Sequence, residues 1–138
     1  MQRLHLFELA DQPWFPRILA DGATAYLHTL QSKAGLDKAM LPLFRRALDQ
    51  SGAARIVDLC AGGGGPTPGV RDLLAADGKD VPLLLTDLHP NLDSLEDRAL
   101  GHRVDVHPEP VDAREVPQGL TGLRTICNAL HHLNEHDA

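Results

Sequence analysis

Aromatic residues are scarce: one Trp, one Tyr and three Phe make up 4% of 138 residues. Leu, Ala and Val must therefore fill most of any core, and a hydrophobic content of 43% is enough to build one. Cysteine is limited to Cys60 and Cys127, which excludes a small domain held together by disulfides. No run approaches the roughly 20 apolar residues of a membrane-spanning helix. Residues 1–8 lack the apolar centre of a secretory signal. These absences fit a reducing, cytoplasmic setting with no membrane partner. Basic residues are outnumbered 13 to 19, for a formal net charge of -6, and only Arg45 and Arg46 are adjacent. Proteins that displace counterions from a phosphate backbone need the opposite balance, so nucleic acid is not expected as a ligand. The length fits one domain.

What is present divides near residue 52. Residues 1–52 read as a helical lead. Phe7, Trp14 and Phe15 sit at its start, with Pro13 and Pro16 interrupting any helix. Over residues 17–31, Ile18, Leu19, Ala23, Tyr26, Leu27 and Leu30 recur at three- and four-residue spacing, the pattern of an amphipathic helix. A second helix is predicted over 37–50, with Met40, Leu41, Phe44 and Leu48 on one face. Pro42 is placed early in it, where a missing N–H is best tolerated. Ser51-Gly52 ends it.

Strands and helices then alternate over residues 53–138. Strands are predicted over 55–60, 81–86, 104–111 and 123–128, with helices over 66–76 and 91–101. Pro108 and Pro110 push the third strand toward a sheet edge. The alternation predicts an α/β fold, a Rossmann-like parallel sheet of about four strands with flanking helices and right-handed crossovers.

In such sheets ligands bind where the strands end, at their carboxyl side. The first strand ends in Asp58-Leu-Cys-Ala-Gly-Gly-Gly-Gly65, a tight turn whose glycines let a backbone approach a ligand closely. Asp87, followed by Leu88, ends the second strand about 20 residues further on, where a carboxylate suits the two hydroxyls of a ribose. Asp112 and Ala113 end the third, where a carboxylate can accept from an adenine amino group. The fourth ends in Cys127-Asn-Ala-Leu-His-His132. Together these residues outline an adenosine site. A dinucleotide would bring a pyrophosphate against Asp58, whereas S-adenosylmethionine brings an ammonium and a sulfonium that an acidic site favours. No Lys-Ser/Thr pair follows the glycines, so the chain is not a P-loop protein.

With these residues in place, positions 55–133 resemble the cofactor-binding portion of a class I S-adenosylmethionine-dependent methyltransferase. That family's first motif is an acid followed by three alternating glycines. Asp58 matches the acid, and Gly62 and Gly64 match the second and third glycines, while Cys60 stands where the first would be. The resemblance implies a cofactor site formed by Asp58, Cys60, Ala61, Gly62, Gly63, Gly64, Asp87, Leu88, Asp112, Ala113 and Asn128. Residues 128–132 fall where the fourth motif flanks the methyl group, so His131 or His132 is a candidate base acting on the acceptor. The implied function is methyl transfer to a small molecule. The family carries seven strands. A chain with four reads as truncated, with its fourth strand exposed as an edge that a second copy or a partner chain can pair with. The alternative is therefore a non-catalytic cofactor-binding or interaction module.

Each residue has a structural alternative. The glycines could form an ordinary strand–helix turn, and Asp58 could orient that turn. Asp87 and Asp112 could cap turns. Cys60 and Cys127 could be inert buried thiols. His131, His132 and His136 do not have the spacing of a metal site, so none is expected.

Overall fold

The computed structural model describes residues 35–62, 65–90, 92, 103–127, 129 and 133. The aromatic lead, the helix expected over 17–31 and, apart from Leu92, the helix expected over 91–101 lie outside these residues.

Helix α1 (Leu36–Ser51) is amphipathic: Phe44 and Leu48 are buried, and Met40 and Leu41 pack beside them. It stops at Gly52, whose φ of 63° no side chain tolerates well and whose N–H caps the Leu48 carbonyl at 2.9 Å. The helix begins one residue earlier than expected, so Pro42 lies beyond its first turn. The carbonyl of Lys38 consequently has no N–H from residue 42, a loss that an exposed position offsets with water.

Strand β1 (Ile56–Leu59) is buried at all four positions, as expected for the centre of a parallel sheet covered on both faces. Helix α2 (Thr67–Ala76) follows the glycine turn, with Pro66 at its N-cap position. Its buried residues, Thr67, Val70, Arg71 and Leu74, follow helical spacing along one face. Strands β2 (Leu83–Leu85), β3 (Val104–Val106) and β4 (Leu123–Ile126) complete a four-stranded sheet in the order β3-β2-β1-β4. All three pairings are parallel, with Asp58 opposite Leu85 on one side and Thr125 on the other. The fold is a Rossmann-like α/β arrangement.

Strand β3 is shorter than the expected 104–111. The ladder's last bond there is His107 N–H to the Leu85 carbonyl, at 2.9 Å. Pro108 and Pro110 then offer no N–H, and contact with the β2 side resumes only where the Val111 N–H donates to the Asp87 carbonyl at 2.8 Å. This last bond carries Asp112 to the end of β2.

The sheet separates two apolar clusters. Ile56, Leu83, Leu85 and Val104 pack with Phe44, Leu48, Val70 and Leu74 of the helices. Val57 and Leu59 point to the opposite face, where Val111 and the part-buried Ala113, Val116, Leu120 and Ile126 cover them. Each fully buried Leu or Ile contributes about 1.5–3 kcal/mol relative to exposure. Polar clamps fix the connections at the far end of the sheet. The buried Arg71 guanidinium bonds Asp80, Asp72 at 3.1 Å and the Val81 carbonyl at 3.4 Å, tying α2 to the approach to β2. The Arg55 guanidinium donates to the carbonyls of Thr121 and Gly119, fixing the entry to β4. Among the described residues no helix is long and apolar enough to cross a membrane.

Candidate functional site

At the carboxyl ends of β1 and β2 the chain makes two adjacent exits. β1 leaves through Cys60, Ala61 and Gly62, and β2 through Thr86, Asp87 and Leu88. They are stitched together by the Thr86 N–H donating to the Asp58 carbonyl and the Ala61 N–H to the Thr86 carbonyl, both at 2.9 Å. Beyond that the β1 chain turns sharply. Cys60 has φ 54° and Gly62 φ 52°, and Gly65 re-enters toward α2 at φ 49°. Glycine holds such angles without strain. Cys60 holds one despite its Cβ.

Asp87 joins the two exits directly. Its Oδ2 accepts the Gly62 N–H at 2.8 Å, and its Oδ1 accepts the His89 N–H at 2.9 Å. The acid of β2 and the glycine turn of β1 thus form one continuous wall. Each carboxylate oxygen has a second lone-pair direction, so Asp87 retains acceptor capacity for two further donors. Leu88 beside it is 41% exposed.

Asp58 is not on that wall. It is 1% exposed, and its Oδ1 accepts the Thr125 hydroxyl of β4 at 2.6 Å. The Thr67 hydroxyl, on the first residue of α2, also bonds it, and lies 3.4 Å from the Cys127 sulfur. Burial pushes the Asp58 carboxyl up to about 6, against the two hydroxyl bonds that favour its charged form. Asp58 therefore ties β1, β4 and the start of α2 together, the orienting role, and acts on a ligand through its field rather than by contact. Thr67 and Thr125 were not singled out from the sequence. Thr67 follows the Gly-Pro helix entry, but Thr125 faces Asp58 only through a register that no single segment reveals.

Asp112 is engaged by Arg114. Its Oδ1 accepts both the backbone N–H and Nε of Arg114 at 2.9 Å, and its Oδ2 accepts Nη2 at 2.6 Å. These bonds hold its carboxyl down to about 2. The turn role expected as its alternative is thus present, and an adenine amino group would have to share these oxygens with Arg114. Ala113 is half-buried against the second apolar cluster.

Burial first, and then the charges of Asp87, Asp58 and Asp112, raise the Cys60 thiol above its ordinary value. The three acids therefore do converge on the turn after β1. Cys127 ends β4 beside β1, and burial together with Asp58 pushes its thiol up to about 11. Both cysteines are free thiols and stay protonated near neutrality, so neither is a ready nucleophile. Among the described residues no group of three or more His, Cys, Asp and Glu is arranged to hold a metal. Gly63, Gly64, Asn128, His131 and His132 lie outside the described residues. No protein-family model, curated protein or solved structure matches the chain.

Proposed function

We propose that this chain binds S-adenosylmethionine and carries out, or descends from a protein that carried out, methyl transfer to a small-molecule acceptor, as its resemblance to class I methyltransferases implies. The observation that carries this reading is the Asp87–Gly62 bond. It puts a ribose-suited carboxylate and a close-approach glycine turn on the same wall, at the carboxyl ends of two neighbouring parallel strands. The remaining acceptor directions of Asp87 fit the two hydroxyls of a ribose. The acidic field of Asp58, Asp87 and Asp112 suits a cationic ligand and opposes a pyrophosphate.

The bound donor supplies a methyl group already activated by its sulfonium. The protein's part is then mainly to hold donor and acceptor in line, and no strong base is required. Asp87 fixes the ribose, the turn through Cys60, Ala61 and Gly62 brings main chain close to the ligand, and Asp58 keeps that turn in place through Thr67 and Thr125. Asn128, His131 and His132 are assigned to the acceptor side by resemblance alone.

A second reading, a cofactor-binding module that pairs with another chain, is favoured by one observation: among the described residues no strand bonds to the outer edge of β4. Substitution of Asp87 tests the first reading. Asp87→Ala is expected to weaken S-adenosylhomocysteine binding by about tenfold or more, the scale of a lost charge-assisted bond pair. Unchanged affinity in a folded variant overturns it.

A further inference from the structure

One polar atom in the described part of the protein is buried without a partner: Oδ1 of Asp37. Such atoms are rare in folded proteins, because an acceptor removed from water and left unbonded costs stability, and each calls for an explanation. Its place is specific. Asp37 lies in the first turn of α1 and packs on Gly69, in the first turn of α2. A Cβ at Gly69 would come within 3.2 Å of the Asp37 Cβ and 3.3 Å of its Oδ2. Glycine at this position is what lets the carboxylate lie against α2. The amino end of α2 is also the end that emerges from the glycine turn. The orphaned oxygen is therefore on the same side of the molecule as the wall built by Asp87 and Gly62.

From this placement we propose that Asp37 is a binding residue for the amino-acid end of the donor, accepting the α-ammonium group at its unpartnered oxygen. The inference rests on the S-adenosylmethionine reading and deepens it. It assigns a cation-receiving group to a helix before the glycine motif, outside the segment that carries the family resemblance. Asp58 cannot fill this role by contact, because it is buried and already bonded to Thr125 and Thr67. A competing explanation is purely structural. α2 has no acid in its own first turn and no side-chain cap, so Asp37 could serve as the negative charge at its amino end.

Two ligands separate these explanations. S-adenosylhomocysteine carries the ammonium, whereas 5′-methylthioadenosine has the same nucleoside and thioether without the amino acid. Calorimetric titration of the full chain and of Asp37→Asn with each, alongside thermal unfolding of both proteins, is the test. The expected result is a loss of about tenfold or more in S-adenosylhomocysteine affinity, with methylthioadenosine affinity unchanged and unfolding temperature equal or higher. Equal weakening of both ligands, or a lowered unfolding temperature, overturns the proposal in favour of the structural role. Unchanged affinity for both ligands overturns it while leaving the cofactor reading intact. Binding of neither ligand to the unmodified chain overturns the cofactor reading, and this inference with it.

Discussion

Burial raises the Asp58 carboxyl from 3.8 to about 6, and that has a consequence for stability. The folded state holds this proton more tightly than the unfolded chain does. The stabilisation is therefore complete below pH 3.8 and is lost as pH rises through about 6. At about 1.4 kcal/mol per pH unit, the loss approaches ~3 kcal/mol. Asp112 acts in the opposite sense. Its carboxyl is held down to about 2 by Arg114, so its contribution disappears only as pH falls through that value, below the Asp58 window. Asp58→Asn removes the titration and keeps the shape. Urea unfolding at pH 4, 5 and 7 should show wild-type stability falling relative to the variant across that range. Parallel pH profiles would contradict the assigned environment. Cys60 offers a second residue-scale prediction. At φ 54° a Cβ is strained, so Cys60→Gly should be more stable than Cys60→Ala by about 1 kcal/mol in the same assay. Equal stabilities would place the strain elsewhere.

The elements themselves followed from pattern. The face carrying Met40, Leu41, Phe44 and Leu48 is helical in spacing and packs as expected, and the short apolar runs at 56–59 and 83–85 became the two central strands. Boundaries were harder to read. Nothing local shows that β3 stops at Val106 rather than Val111, because the ladder ends where the prolines withdraw donors and the chain then returns to β2 by a single bond. Leu74, fully buried on the core face of α2, carries a prediction for this scale: Leu74→Ala should cost about 2–5 kcal/mol in unfolding free energy. A cost below 1 kcal/mol would mean that α2 is not packed as described. Gly122 governs the entry to β4. Its φ is 148°, and a Cβ there would sit 2.8 Å from the Arg55 carbonyl oxygen. Gly122→Ala should therefore destabilise the chain by about 1–3 kcal/mol and loosen β4 from β1, read by faster amide exchange in β4. Unaltered exchange there would count against it.

For the molecule as a whole, the strand order β3-β2-β1-β4 brings distant segments to one end of the sheet. Asp87 and Gly62, 25 positions apart, meet through a single hydrogen bond. Their proximity was legible because strand ends in a parallel sheet collect ligand-facing residues. Other features depended on packing and could not be read along the chain. Asp58 turned inward because Thr125 stands opposite it in register, and Asp112 is shared with Arg114 two residues on. The orphaned Asp37 oxygen was equally invisible, since it exists only where α1 meets α2 at Gly69. The central claim is an adenosine site that prefers a cationic amino-acid end to a pyrophosphate. Calorimetric titration of the 138-residue chain with S-adenosylhomocysteine, with NAD as the control, tests it most directly. Micromolar binding of S-adenosylhomocysteine with none of NAD is the expected result. Binding of NAD alone, or of neither, would contradict it.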